Sequence, residues 1–178
     1  MSNPPAEPFR SPPPPAEPPR EGRDPALWPA DVLAALQAVL DRSLQSGGAA
    51  VLDTFDHADR RLSAAPFVNW WNETRLKAMA TVGPAGAPHL APVHAEFVDG
   101  RLRSTIYEHA VRRRDLRANP EVAFTTWGDH GAAAIVYGRA REVPDSGRET
   151  RPGATGRARR TVTLDIEVTR IYAMKPRA

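Results

Sequence analysis

The 178-residue sequence contains no cysteine. That absence excludes disulfide bonds, thiol catalysis, iron–sulfur clusters and cysteine-ligated zinc. No apolar run approaches the roughly 20 residues that a membrane-spanning helix needs, and the first ten residues lack the apolar segment of a secretory signal. We therefore expect a soluble, cytoplasmic protein that has no membrane partner.

Proline is concentrated at the start of the chain, since 11 of the 19 prolines lie in residues 1–29. Proline has no N–H to donate, so such a segment cannot form a helix or a sheet. The sequence predicts a disordered tail over residues 1–25 and one domain over residues 26–178. The tail is either a solvated spacer or a docking peptide for another protein.

Positive charge is unevenly distributed, with 13 arginines against 8 acidic residues between positions 99 and 160. Such an excess favours an anionic partner, which could be a phosphate, a carboxylate or a nucleic acid. The arginine-rich stretch 148–160 has no interleaved aromatic residues to stack on bases, and we expect no nucleic-acid binding.

Hydrophobic periodicity predicts a helix over residues 26–46, with Asp31 as a candidate cap, and a short strand over residues 49–55. From residue 75 the period becomes two: Leu76, Ala78, Ala80 and Val82 alternate with Lys77, Met79 and Thr81, as in a half-buried strand. Predicted strands follow over residues 89–98, 102–106, 121–127, 132–143 and 161–174. Strands joined by turns pair antiparallel, and closing the sheet into a barrel would remove its edges.

The most informative segment runs from residue 102 to residue 120. Ser104 and Thr105 end a strand, and Arg112, Arg113 and Arg114 then open a short predicted helix over residues 110–118. Arginines are unfavourable at a helix N-terminus, because that end of the helix dipole is also positive. A bound anion would compensate both the dipole and the guanidinium charges. Phosphate is a suitable anion because arginine can bind it with two parallel hydrogen bonds. The alternative is a solvated basic face that is paired in part with acidic neighbours at positions 108 and 115.

Four stretches in this order resemble the flavin-binding split-barrel family, the relatives of pyridoxamine 5′-phosphate oxidase. They are KAMATVGPAGAPHLAPVH, LRST, RRRDLRANPEVAF and IVYGRAREV, within residues 77–143. The resemblance implies a mainly β protein of the α+β class: a six-stranded antiparallel split β-barrel with short flanking helices. It also implies a homodimer that binds flavin mononucleotide (FMN) at its interface.

The resemblance also assigns roles to residues. Basic side chains at the helix start and a strand-end hydroxyl would hold the FMN phosphate, and the strand from His89 to His94 would run along the flavin ring. Trp127 either stacks on the ring or packs in the core or an interface. The cofactor contacts implied in this way are His89, Pro92, Val93, His94, Ser104, Thr105, Arg112, Arg113 and Trp127.

The expected function is that of an FMN-dependent oxidoreductase acting on a small organic substrate, with no metal site and no catalytic residue predicted from the protein. The C-terminal segment that binds pyridoxamine phosphate in the oxidases has no counterpart here, so that substrate is not expected. Two alternatives remain open on the same fold: an oxidoreductase that uses the deazaflavin F420, and a protein that carries flavin or haem without turnover.

Overall fold

The computed structural model describes residues 21–149 and 158–177. The predicted tail over residues 1–25 therefore lies largely outside the described residues. The α-helices are α1 (Ala30–Gln45), α2 (Ala49–Phe55), α3 (Ala64–Glu73) and α4 (Val111–Ala118). The strands are β1 (Lys77–Val82), β2 (Pro88–Val93), β3 (Ala95–Val98), β4 (Arg101–Tyr107), β5 (Glu121–Trp127), β6 (Ala133–Glu142), β7 (Arg148–Glu149) and β8 (Arg160–Met174).

The sheet is antiparallel throughout, and its strand order is β2-β1-β5-β6-β8-β4-β3, with β7 paired to β8. The two edge strands, β2 and β3, are consecutive in the chain and separated only by His94. A sheet whose two edges are joined by one residue must curl until those edges meet. The predicted split barrel is confirmed in class.

The strand count differs from the expected six. Residues 89–98 were predicted as one strand, but the chain changes partners at His94: β2 pairs with β1, and β3 pairs with β4. The two-residue β7 is the second addition. Periodicity cannot detect either feature, because a change of partner leaves the alternation of side chains intact.

Large apolar side chains fill the inside of the curled sheet, and α3 contributes the biggest of them. Phe67 and Trp71 are fully buried and form an aromatic cluster with Phe97 of β3, with ring centroids 5.6–6.1 Å apart. The indole N–H of Trp71 donates to the carbonyl of Ala95 at 3.0 Å, so the ring's polar atom is also satisfied. The tryptophan thus fixes α3 against the start of β3.

A second apolar cluster lies on the outer side of the sheet, over β6 and β8. Its centre is Phe55, the last residue of α2, which packs against Tyr172 and Met174 of β8. The strand predicted over residues 49–55 is therefore wrong, and the segment is a helix. A seven-residue apolar run fits either structure, and the contact with β8 decides between them.

The N-terminal boundary also differs from the sequence expectation. The first long helix begins at Ala30 with Pro29 as its N-cap residue, not with Asp31. Residues 21–25, predicted as part of the tail, form short 3-10 turns: Arg23 pairs with Glu96 of β3, and Pro25 is buried. The packed domain therefore includes these residues.

Gly138 marks the bend in β6. The register between β6 and β8 shifts between Tyr137 and Gly138, and a Cβ at Gly138 would lie 2.5 Å from the carbonyl oxygen of Glu167. Only glycine allows that approach of the two backbones. A glycine inside a strand indicates either a barrel corner or a close backbone approach, and both are present here.

Candidate functional site

The outer face of β1, β2 and β5 carries apolar side chains that nothing covers within the described residues. In β1 the buried side chains are Lys77, Met79 and Thr81, whereas Ala78 and Ala80 point outward. The alternation predicted from the sequence is present, but the predicted apolar side chains Ala78, Ala80 and Val82 face outward and the alternate set is buried.

Three large side chains on or beside this face are strongly exposed. Leu90 of β2 is 71% exposed, Trp127 at the end of β5 is 68% exposed, and Leu76 before β1 is 57% exposed. A soluble chain rarely leaves neighbouring large apolar side chains in water unless the surface receives a ligand or a partner. We call the outer face of β1, β2 and β5, together with Leu76, the open face.

A cleft of about 580 Å³ opens on this face. Its lining includes Pro92 and Trp127, two of the residues predicted to contact the cofactor. Thr126, at the same end of β5, donates its hydroxyl to the carbonyl of Leu76 at 3.0 Å. This bond holds the residue before β1 against the end of β5. The cleft can accept a planar, largely apolar group.

The N-terminus of α4 has neither a capping side chain nor an acidic residue in its first turn. Ala110 is the N-cap residue. In this turn Arg112 makes no hydrogen bond or ion pair with any described residue, although its Nε is buried. The Nε–H itself is closed to solvent, but the two terminal guanidinium nitrogens are not buried and also lack a partner among the described residues, so an oxyanion beside the positive end of the helix could accept from them.

Arg113, the next residue, is already engaged. Its Nε donates to Glu142 at 2.9 Å, a second nitrogen bonds the other oxygen of that carboxylate, and a third lies 3.3 Å from Glu108. The hydrogen bonds from Arg113 lower the pKa of Glu142. The structure therefore separates two arginines that the sequence prediction grouped together.

A buried polar cluster joins α4 to the hairpin of β1 and β2. Asp115 has no exposed surface, and one of its oxygens accepts from the Thr81 hydroxyl at 2.9 Å and from Nδ1 of His89 at 2.6 Å. Burial alone would raise the pKa of Asp115, but the hydrogen bonds from His89 and Thr81 and the charge of Arg114 hold it below its usual value. The carboxylate is therefore ionised, and it fixes the orientation of the His89 ring.

The remaining predicted contacts are dispersed. Ser104 is buried, and its hydroxyl donates to the carbonyl of His94 at 2.8 Å. Val93 points into the core, and the side chain of His94 is exposed between β2 and β3. Thr105 lies on the outer side of β4, in a separate groove of about 530 Å³ whose lining includes neither Arg112 nor Arg113.

Two further features were missed from the sequence. The role of Asp115 depends on His89, 26 residues earlier in the chain, and no local pattern links them. Lys77 is 2% exposed, and its ammonium donates to the carbonyls of Trp71, at 2.7 Å, and Thr74 at the end of α3. Burial lowers the pKa of Lys77 to about 8.

Two negative observations apply to residues 21–149 and 158–177. No three histidine, aspartate or glutamate side chains lie close enough to hold a metal ion. None of the helices there has the length and apolar character required to cross a membrane.

A solved structure shares this fold, and two others are similar to the chain at lower TM-scores. A conserved hypothetical protein, Rv2991 from Mycobacterium tuberculosis, is 21% identical, covers 67% of this chain and 88% of its own, and has a TM-score of 0.55. A FAD-binding protein from Mesorhizobium loti is 20% identical over 65% of this chain and 96% of its own, with a TM-score of 0.49. An F420 reductase is 23% identical over 56% and 91%, with a TM-score of 0.44.

Sequence comparison identifies the family directly. None of the curated proteins compared with this chain matches it significantly. Residues 65–175, which include every strand, match the family model described as pyridoxamine 5′-phosphate oxidase. Since the match extends over more than half of the chain, the protein belongs to the pyridoxamine 5′-phosphate oxidase-like split-barrel family.

Proposed function

We propose that the protein is an FMN-dependent oxidoreductase that acts on a small organic substrate. The observation that carries the proposal is the unpaired guanidinium of Arg112 in the first turn of α4, with its Nε buried and no acceptor among the described residues. Family membership supports the same reading, because the split-barrel family includes flavin-binding proteins such as the FAD-binding relative described above.

The phosphate end of FMN would bind at the start of α4. Arg112 offers guanidinium donors, and the uncapped first turn offers backbone N–H groups. Arg113 is the weaker candidate because Glu142 and Glu108 already neutralise it. A phosphate monoester fits this end better than a carboxylate, since its three oxygens can accept from side chain and backbone together.

The ring of FMN would lie against the open face, where Pro92 and Trp127 line the 580 Å³ cleft. One copy leaves this cleft largely uncovered, and a second copy packed on the open face would enclose the ring. The exposed Leu90 and Trp127 would then become buried, as interface centres require. We therefore expect a homodimer with one FMN bound beside each open face.

When bound, FMN would supply hydride transfer between its ring and a small substrate. The residues of the chain would bind and orient the cofactor, and the apolar open face would exclude water from the ring. No protein acid or base is required for the hydride step itself, so the arrangement is complete without one.

Replacing Arg112 tests the proposal. Arg112→Ala should weaken FMN binding by about 1.5–3 kcal/mol, the range for hydrogen bonds to a charged group, and should leave the fold intact. Fluorescence titration of the apoprotein measures the change. Arg117→Ala is the matched control, because Arg117 lies in the last turn of the same helix with its side chain 64% exposed.

Two results would contradict the proposal. One is unchanged FMN affinity in Arg112→Ala, which would remove the phosphate assignment. The other is a purified protein whose released cofactor has the mass and absorption spectrum of a deazaflavin or of haem. NAD(P)H oxidation by the FMN-loaded protein then distinguishes an enzyme from a carrier.

A further inference from the structure

The groove of about 530 Å³ that contains Thr105 lies on the outer side of β4 and β8. The connection between β6 and β7, together with β7 itself, completes its wall. None of the described residues that line it belongs to α4, β1, β2 or β5, so it shares no side chain with the 580 Å³ cleft or with the start of α4. The site proposed for FMN therefore leaves this groove without an assigned role.

Two arginines share a single carboxylate at one end of the groove. Asp165 of β8 is 9% exposed, and one of its oxygens accepts from Arg101 at 2.9 Å and from Arg141 at 3.2 Å. One carboxylate offsets only one of the two positive charges. This end of the groove therefore keeps a net positive charge and attracts anions.

Two further arginines in the lining have no partner. Arg103 of β4 and Arg148 of β7 are exposed, and neither side chain makes a hydrogen bond or an ion pair with any residue that the structure describes. Asp145 is the second acidic residue of the described lining, and it makes no ion pair there either. Together with Arg101 and Arg141, four guanidinium groups in and beside the groove thus face two carboxylates.

Two threonine hydroxyls lie on the same face as these guanidinium groups. Thr105 of β4 and Thr163 of β8 are directly opposite each other in the sheet, so their side chains are neighbours. Neither hydroxyl has a hydrogen-bond partner within residues 21–149 and 158–177. Arg103 lies two residues before Thr105, so both side chains leave the same face of β4. Unused hydroxyl and guanidinium donors therefore stand side by side.

We propose that this groove binds a small oligophosphate, a ligand that carries at least two linked phosphate groups. Phosphate oxygens accept hydrogen bonds from several directions, which suits a mixture of guanidinium and hydroxyl donors. Arg103, Thr105 and Thr163 hold one phosphate, and Arg148 offers its donors to the next. The inference goes beyond the proposed function and does not depend on FMN.

Two larger occupants fit the groove less well. A second copy related by a two-fold axis would place the same arginines opposite one another, and like charges repel across an interface. A single-stranded nucleic acid would find no aromatic side chain in the described lining on which a base could stack. A small anion is the occupant that the charge and the hydroxyl groups both favour.

The competing reading is a solvated basic surface that attracts anions without holding them. Such an attraction depends on total charge and is screened by salt, so every exposed arginine contributes alike. A built groove instead depends on particular donors. Loss of an uncharged hydroxyl, such as that of Thr163, weakens binding to a built groove but leaves a diffuse attraction unchanged.

The experiment is isothermal titration calorimetry of the full chain with tripolyphosphate in a chloride buffer. Arg103→Gln should weaken binding about tenfold, the effect of losing hydrogen bonds from a charged donor. Thr163→Val keeps the charge and the side-chain shape and should weaken binding about threefold. Arg42→Gln is the control and should keep the affinity of the unmodified protein, because Arg42 is an exposed arginine in the last turn of α1, outside the groove.

Two parallel titrations define the ligand and the site. ATP distinguishes a nucleotide from a free oligophosphate, because it binds more tightly than tripolyphosphate only if its nucleoside also contacts the groove, and either result supports an oligophosphate site. Arg112→Ala is titrated with tripolyphosphate because phosphate groups also suit the site proposed for FMN. Binding that Arg112→Ala retains and Arg103→Gln weakens is the expected result.

Three results would overturn the proposal. The first is the absence of measurable tripolyphosphate binding by the unmodified protein. The second is binding that Arg112→Ala abolishes and Arg103→Gln retains, which would assign the probe to the site proposed for FMN. The third is equal weakening by Arg103→Gln and Arg42→Gln with no effect of Thr163→Val, which would show diffuse surface charge.

Discussion

The outer side of the sheet has two halves that differ in what covers them. Over β6 and β8, the helices α1 and α2 bury Tyr172 and Met174 beneath Phe55. Over β1, β2 and β5, Leu90 and Trp127 are mostly exposed. The chain's own helices therefore cover one apolar surface of the sheet. The other apolar surface has no cover among the described residues.

The difference indicates where stability and function reside. In the covered half, apolar side chains are buried by helices of the same chain, and this burial stabilises the fold of the single chain. The open half gains nothing from its apolar side chains until a ligand or a second copy covers them. Substitutions in the covered half should therefore lower the free energy of unfolding, and those on the open face should change association.

The largest expected effect is in the covered half. Phe55→Ala should lower the free energy of unfolding by about 3–5 kcal/mol, because it removes a buried ring and leaves a cavity against Tyr172. Urea unfolding measures the change, and Asp53→Ala, an exposed position in the same helix, is the control. A loss below about 1 kcal/mol would mean that α2 contributes little to the domain.

The second-largest effect on stability is expected at Lys77, which lies on the inner side of β1. The pKa of Lys77 is about 8 in the folded protein against 10.5 when unperturbed. Between these values the unfolded chain binds more protons, so the free energy of unfolding should rise with pH, by about 3 kcal/mol in total. Below the lower value the ammonium is present in both states and this slope vanishes.

Chemical unfolding measured from about pH 7 to about pH 11, beyond the usual pKa of lysine, tests this expectation. Lys77→Met removes the titrating group and should lack the extra rise, so the difference between the two curves isolates Lys77 from other groups. Parallel curves for the two proteins would contradict the assignment.

The smallest effect on stability, and a large one on association, is expected on the open face itself. Leu90→Asp should change the free energy of unfolding by less than about 0.5 kcal/mol but disrupt the proposed dimer, because an unpaired carboxylate would be buried at the proposed interface. Sedimentation equilibrium measures the association. Leu27→Asp is the control, since Leu27 is 67% exposed near the N-terminus of the domain. Equal association of both variants would show that the open face is not the interface.

The sequence predicted those parts of the fold that a local pattern of side chains determines. Strict alternation identified β1, and the strand predicted over residues 161–174 corresponds closely to β8. Pattern failed where a tertiary contact decides the structure. The segment ending at Phe55 is a helix because it packs on β8, and alternation in β1 did not reveal which face is buried.

The sequence predicted the approximate location of the candidate site but not which side chains pair within it. The arginines at the start of α4 were evident in the sequence, but the difference between Arg112 and Arg113 depends on Glu142, 29 residues after Arg113. The bond from His89 to Asp115 likewise joins a strand to a helix across the fold. Such pairings are properties of the closed barrel and have no signature in a single segment.

The unpaired guanidinium of Arg112 has a practical consequence for handling the protein. If Arg112 binds a nucleotide phosphate as proposed, sulfate and inorganic phosphate should occupy the same site, because they have the same tetrahedral oxygens. Buffers containing either ion would then compete with the proposed cofactor and lower its apparent affinity. Purification and titration are therefore best carried out in chloride salts with an amine buffer.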